Sequence, residues 1–235
     1  MTITDASTLS REELAGMIQF TLVRPDATRD EIIHHVELCA KYTFNAAMIP
    51  MCWVELTREI LKGTGVRTAT AISFGLGNET VAGKAALIQE CRSLGADEVD
   101  YQPNMGFYLS GMYDEFRDES VELLKVAGDM VLKPMFEMGY LKNEDEQKHA
   151  AKLLDEAGVP WIKNSSGTGP HRAPATPENI RLLRETVSER CRVKASGGIK
   201  GYRQSLALIE AGAELLGTSK GVEIIYGLEA AESAY

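Results

Sequence analysis

The chain has 235 residues, with 25 Lys and Arg against 34 Asp and Glu, for a net charge of −9. That length lies near the ~250 residues usual for a (β/α)8 barrel, and a chain of this size buries enough surface to fold without disulfides. Acidity without a basic run argues against nucleic acid, the want of an apolar stretch of about 18 residues against a membrane span, and an N-terminus with neither a basic nor an apolar region against a secretory signal; a cytoplasmic protein is expected.

In chain order, a short helix is predicted over 10–16, with Ser10 and Glu13 as a capping box. A strand follows over 18–23, then a helix capped by Thr28 with Glu31 at the third position and an apolar face of Ile32, Val36, Cys39 and Ala40. Strand 46–49, helix 54–62 stopped at Gly63, strand 66–74, helix 80–94 ended by Gly95 and strand 98–102 complete the first half. The second half repeats the scheme: helix 115–126, strand 130–136, and an Asn143-capped helix to residue 156. A strand around Trp161 comes next, then a helix opened by Thr176 and Pro177, strand 192–195, helix 202–210, strand 215–218 and a short closing helix.

Eight strands alternating with helices imply a parallel sheet with right-handed crossovers, and eight units suit a closed (β/α)8 TIM barrel better than an open sheet. No long linker or break in composition divides the chain, so one domain over 1–235 is expected, with a short N-terminal helix and a C-terminal tail. The string Gly75-Leu-Gly77-Asn-Glu-Thr80 lacks a third glycine and reads as a turn before a helix. Cys39, Cys52, Cys91 and Cys191 show no Cys-x-x-Cys spacing, and His34, His35, His149 and His171 offer no i, i+4 pair, so reduced thiols and chemistry without a metal are expected.

In such a barrel, reactive side chains belong at the C-terminal ends of the strands. Lys163 ends the sixth strand before the loop Asn-Ser-Ser-Gly167-Thr-Gly169. Taken alone it reads either as a lysine snorkelling at the barrel mouth or as a desolvated amine able to attack a carbonyl. Lys194 ends the neighbouring strand, and two adjacent ammoniums repel, which favours losing one proton. Its loop, Ser196-Gly197-Gly198-Ile-Lys200, and Gly217-Thr-Ser219-Lys220 after the eighth strand offer backbone N–H groups and ammoniums to an anion such as a phosphate. Glu98 and Asp100 share a face of the fourth strand, as Lys133 and Glu137 do on the fifth. Buried charges require partners, so a network of Asp100, Lys133, Lys163 and Lys194 in a polar barrel interior is predicted.

These residues carry a resemblance. The segments Thr-Leu-Val-Arg-Pro-Asp-Ala-Thr from Thr21, Gly-Ala-Asp-Glu-Val-Asp from Gly95, Ile-Lys-Asn-Ser-Ser-Gly from Ile162, Val-Lys-Ala-Ser-Gly-Gly-Ile from Val193 and Gly-Thr-Ser from Gly217 resemble the deoxyribose-phosphate aldolase family, over nearly the whole chain. The resemblance implies a class I aldolase without a cofactor, joining acetaldehyde to glyceraldehyde 3-phosphate through a covalent lysine imine. It implies Lys163 as the imine lysine, Lys194 as the lysine that lowers its pKa, Asp100 as the acid–base residue and Lys133 as the charge partner of Asp100. Gly167, Gly197, Gly198, Gly217 and Ser219 would surround the phosphate, and Tyr235 would join a proton relay.

The chain also departs from the family pattern. Gln19 stands where a carboxylate is usual, Tyr101-Gln-Pro-Asn104 follows Asp100 in place of an apolar stretch, Asn164 follows the lysine, Pro50-Met51 replaces Asn-Pro, and Lys220 replaces a serine. Imine chemistry with an altered pocket is the expectation. The alternatives are another imine-forming lyase, transaldolase or synthase on a phosphorylated carbonyl, or a non-catalytic barrel that binds a sugar phosphate. Pairing of the chain into a homodimer through surfaces such as that around Trp53 is also expected.

Overall fold

The computed structural model describes residues 3, 5–167 and 173–229. The strands β1 (Ile18–Thr21), β2 (Ala46–Met48), β3 (Arg67–Ile72), β4 (Glu98–Tyr101), β5 (Val131–Pro134), β6 (Trp161–Lys163), β7 (Arg192–Ser196) and β8 (Leu215–Thr218) are all parallel and lie in the order β5-β4-β3-β2-β1-β8-β7-β6. A parallel bridge from Met135 to Lys163 brings β5 against β6 and closes the ring. There the Phe136 N–H donates to the Lys163 carbonyl at 2.7 Å. The expected barrel is present.

Ten helices surround the strands among the described residues: α1 (Arg11–Ala15), α2 (Arg29–Tyr42), α3 (Val54–Leu61), α4 (Val81–Leu94), α5 (Met105–Leu109), α6 (Tyr113–Ala127), α7 (Glu144–Glu156), α8 (Pro177–Thr186), α9 (Tyr202–Glu210) and α10 (Gly221–Ile225). Their starts follow the capping chemistry of the sequence. Ser10 with Glu13 and Thr28 with Glu31 form complete capping boxes, and Thr80, Asn143 and Thr176 each accept a backbone N–H of the first turn. α4 ends at Gly95, whose φ of 89° closes the last turn without Cβ strain.

Differences from the predicted elements are local. The third strand stops at Ile72 because Ser73 turns to φ 55°. The fifth ends at Pro134, with single pairings beyond it: the Met135 N–H donates to the Tyr101 carbonyl at 2.7 Å. α5 has five residues, too short to show a helical period. Gly75 and Gly77 sit at φ 77° and 69° in the turn before α4, and a Cβ on Gly77 would lie 2.5 Å from Gln102 Cγ.

Apolar burial falls mainly between strands and helices, where Ile18, Val99, Leu132, Ile162, Val193 and Leu216 pack against helical residues such as Ile32, Ile88 and Leu208. Trp53 packs partly buried on this core, so its helix is already partnered within the chain. The barrel interior is different. Beside charged and amide side chains it holds a small apolar patch of Ala46, Met48 and Ala69, with Trp161 and Leu215 on the inward faces of β6 and β8. No helix among the described residues is long and apolar enough to cross a membrane. The cysteines are unpaired thiols, three buried and Cys52 exposed.

Candidate active site

Strand alternation decides which side chains meet inside the ring. Asp100 is level with Lys133, and Lys163 with Lys194, so the four enter the interior near the C-terminal ends of their strands. Lys163 Nζ donates to Asp100 Oδ2 at 2.9 Å, and Lys194 Nζ donates to the same oxygen at 2.6 Å. Lys194 also donates to Gln19 Oε1 at 2.5 Å. The predicted network therefore forms, with one change of partner. Lys133 is hydrogen-bonded to Glu98 Oε2 and lies 3.8 Å from Asp100 Oδ1, so its main partner is Glu98 and not Asp100. Glu98 is one layer lower on the same strand face, and the tilt of the strands brings β5 across to it. Glu98 also accepts from Arg67 Nη1 at 2.5 Å and from Gln19 Nε2 at 2.5 Å.

The electrostatics follow from burial and from the count of charges. Burial alone would raise the pKa of Asp100, but the ammoniums of Lys163, Lys194 and Lys133 hold it well below the usual carboxylate range. Glu98 is lowered in the same way: burial opposes, and Lys133 with Arg67 prevails. Lys194 is fully buried, and burial pushes it down to about 7, with Lys163 and Lys133 adding to the effect and Asp100 opposing it. Asp100 Oδ1 is buried and has no hydrogen-bond partner among the described residues. A carboxylate oxygen in that state is an acceptor waiting for a donor.

Above this layer lies a cavity of about 690 Å³, lined by Thr21 to Pro25 after β1, by Met48 and Phe74, and by the loops after β6, β7 and β8. Of the predicted residues, Lys163, Gly167, Gly197, Gly198, Lys200, Gly217 and Ser219 line it. Asp100, Lys133 and Lys194 are buried beneath it. The Gly167 loop runs against the next one so closely that a Cβ on Gly167 would lie 3.2 Å from Gly197 Cα. Gly217 has a use that the sequence did not suggest. It faces Lys194, whose Cε would be 3.3 Å from an added Cβ, so the glycine makes room for that side chain.

Other expectations need correction. Lys220 does not line the cavity: its N–H donates to Thr218 Oγ1 at 2.9 Å and its ammonium pairs with Glu223 at 3.1 Å. Glu137 does not share a strand face with Lys133. It sits past the end of β5 at φ 48° and accepts from the Ser165 hydroxyl and from the N–H and hydroxyl of Ser166. Tyr101 points away from the pocket, with its hydroxyl donating to Ser120 Oγ on α6 at 2.7 Å. Asn164 lies behind the cavity wall, accepting the Ser196 N–H at 2.7 Å and so tying the sixth loop to the seventh. Tyr235, Thr168, Gly169 and His171 lie outside the described residues.

The sequence reading also missed some participants. Arg24 lines the cavity in the turn after β1 and pairs with Asp26 at 2.7 Å. An arginine placed directly before Pro25-Asp26, where a strand ends at the mouth, was the available signal. Phe74 walls the cavity, its ring centroid 5.8 Å from Lys163 Nζ.

No family model matches the chain. Similarity to individual proteins is extensive. The deoxyribose-phosphate aldolase of Caldanaerobacter subterraneus subsp. tengcongensis is 39% identical over 224 residues, covering 92% of this chain and 96% of that one. Among solved structures, the aldolase QR15 superposes with a TM-score of 0.85 at 31% identity, covering 91% of this chain and 94% of that chain. The deoxyribose phosphate aldolase of Aeropyrum pernix, described as a unique tetrameric structure, superposes with a TM-score of 0.84 at 25% identity, covering 92% and 91%. Identity at this level over nearly the full length of both chains, on a barrel with inward lysines on β6 and β7, decides the relationship: the chain belongs to the deoxyribose-phosphate aldolase family.

Proposed function

We propose that the protein is a class I aldolase that reversibly cleaves 2-deoxyribose 5-phosphate to acetaldehyde and glyceraldehyde 3-phosphate, with Lys163 as the imine-forming lysine. One observation carries the choice of residue. Of the three interior lysines, Lys163 alone lines the cavity, while Lys133 and Lys194 are completely buried. A nucleophile must reach its carbonyl.

In cleavage, the neutral Lys163 amine attacks C1 of the open-chain sugar phosphate, and water leaves as the imine forms. Asp100, hydrogen-bonded to both lysines and with no hydrogen-bond partner on Oδ1 among the described residues, would take the C3 hydroxyl proton through a water. The C2–C3 bond then breaks, its electron pair flows to the imine nitrogen, and glyceraldehyde 3-phosphate departs. Protonation of the enamine at C2 and hydrolysis of the imine release acetaldehyde. The nitrogen is the electron sink, so the reading calls on no cofactor.

The phosphate would bind at the far end of the cavity, on backbone N–H groups of Gly167, Gly197, Gly198 and Ser219, with Gly217 in the wall and Lys200 at the rim. Arg24 lines the cavity beside the loop after β1 and adds a second cation there. The same reading places the protein in the cytoplasm and includes self-association as a dimer, which light scattering on the purified protein tests.

The decisive experiment is reductive trapping. Incubation with acetaldehyde followed by borohydride should leave an ethyl group on Lys163, located by peptide mass spectrometry. An adduct on Lys194 instead would overturn the assignment of the nucleophile. The absence of any adduct from folded protein, with acetaldehyde or with the sugar phosphate, would overturn the aldolase reading.

A further inference from the structure

Gln19 occupies the centre of the charged layer without carrying a charge. It is completely buried on β1, its Oε1 accepts from Lys194 Nζ at 2.5 Å, and its Nε2 donates to Glu98 Oε2 at 2.5 Å and to Asn45 Oδ1 at 3.3 Å. It thus bridges a lysine at one end of the network and a carboxylate at the other. The charged groups around Lys194 are Asp100 and Glu98 from β4, Lys163 from β6 and Lys133 from β5, with Arg67 from β3 on the far side of Glu98. Gly217 from β8 and the Ala46–Met48 strand bring no charge. Fully ionised, the buried set is three ammoniums against two carboxylates, and half-exposed Arg67 only adds to the positive side. A carboxylate at position 19 would balance the three ammoniums, and an amide does not.

Resting on the aldolase reading above, we propose that Gln19 is a positioning residue that leaves the barrel interior one positive charge in excess, so that the lysine set readily gives up one proton and the cavity-facing amine is freed to attack. Asp100 Oδ2 accepts from both Lys163 and Lys194 and so supplies the route by which the two amines exchange that proton. Lys194 is pushed down to about 7, first by burial and then by its ammonium neighbours, the direction that an excess of ammoniums requires. Groups this close titrate as a unit, so the consequence belongs to the network rather than to one amine. The hydrogen bonds also explain why an amide suits the place: it accepts from an ammonium and donates to a carboxylate at once, which no ionised carboxylate does.

The test is the pH dependence of imine formation, read as borohydride-trapped acetaldehyde against time, together with kcat and KM over the same range. Gln19→Glu keeps the length of the side chain and, ionised against Lys194, adds the missing charge while giving up the hydrogen bond to Glu98. An amine must be neutral to attack, so a set that holds its protons more tightly loses rate at a higher pH. The acid limb should move up by about one pH unit, making the variant about tenfold slower below both limbs, with the wild-type rate regained at high pH. Gln19→Met removes both hydrogen bonds without adding charge, and should slow the reaction across the whole range with the limb little moved.

A Gln19→Glu protein of wild-type thermal stability whose limb stays in place, or whose rate falls equally at all pH values, would reduce Gln19 to a structural hydrogen-bonding role and overturn the inference. Should that variant fail to fold, Lys133→Met removes the excess from the other side, leaves Glu98 its bonds to Arg67 and Gln19, and must also move the limb upward; an unmoved limb overturns the inference equally. A wild-type protein that traps no aldehyde overturns the aldolase reading, and the inference with it. Trapping by the wild type without a limb shift in the variants overturns the inference alone.

Discussion

Among the described residues two clusters of buried lysine and carboxylate differ in balance, one inside the barrel and one outside it. The outer cluster is the pair Lys84 and Glu119, which joins α4 to α6. Lys84 Nζ donates to Glu119 Oε1 at 2.7 Å, to the Gly77 carbonyl at 2.7 Å and to the Gln102 carbonyl at 2.9 Å, using all three of its protons. Glu119 Oε2 accepts the Asn104 N–H at 2.8 Å. One charge meets one charge, both are sealed from water, and both carboxylate oxygens are bonded. The inner cluster sets three lysines against two carboxylates, leaves Asp100 Oδ1 without a hydrogen-bond partner among the described residues and opens to a cavity at Lys163. Burial perturbs both clusters, pushing Glu119 up against the pull of Lys84 and Lys194 down against the pull of Asp100. A perturbed pKa therefore does not separate scaffold from chemistry here; charge imbalance, an unbonded acceptor and access to a cavity do.

The comparison breaks most sharply at the lysines. Lys163→Met should abolish trapping with acetaldehyde and lower kcat by about 10⁴-fold or more, since neither of the other two interior lysines reaches the cavity. It should leave thermal stability nearly unchanged, because Asp100 keeps Lys194 as its partner. Lys84→Met should do the reverse. Removing one member of a buried pair leaves Glu119 uncompensated and costs about 3–5 kcal/mol, read as a lowered denaturation midpoint, while the folded fraction still traps aldehyde on Lys163. Adding Glu119→Leu to Lys84→Met should restore much of that stability, since an apolar pair of similar volume replaces the ions. A Lys84→Met protein that is stable but catalytically dead would assign the outer cluster to the chemistry and erase the distinction.

How much of this was legible in the sequence depends on whether a residue sits on a strand or beyond one. Within strands, period-two alternation and the order of the elements were enough to bring Asp100, Lys133, Lys163 and Lys194 together. The same parity argument, carried one residue further, turns Tyr101 outward to Ser120, so that departure from the family pattern could have been discounted as pocket lining. The preference of Lys133 for Glu98 was not legible, because strand tilt sets which layers face each other across a barrel and no local pattern records it. Beyond the strands parity fails. Glu137 enters the left-handed region and clamps Ser165 and Ser166, and Lys220 turns to Glu223 at the start of α10. Capping chemistry survived because it is local: Ser10, Thr28, Thr80, Asn143 and Thr176 each needed only their own first turn.

The smallest expected effect sharpens the comparison with a single methyl group. Gly217→Ala adds a Cβ that would lie 3.1 Å from Ser196 Oγ and 3.3 Å from Lys194 Cε, inside the charged layer. Lys194 has little freedom to yield, since its ammonium is already held at 2.5 Å by Gln19 and at 2.6 Å by Asp100. The neighbours must shift by a few tenths of an ångström, which costs about 1–3 kcal/mol as overpacking. A misplacement of 1 Å near reacting groups costs roughly 100-fold, so a shift of this size should lower kcat by less than that, with KM little changed. Gly95→Ala makes the matching change outside the barrel, at φ 89° against the Arg58 side chain. It should cost about 1–3 kcal/mol through backbone strain and leave kcat alone. Similar losses of stability with a fall in kcat at Gly217 only would locate the chemistry in the layer around Lys194. Equal falls in kcat at both sites would mean that the outer shell sets the rate as directly as the inner one.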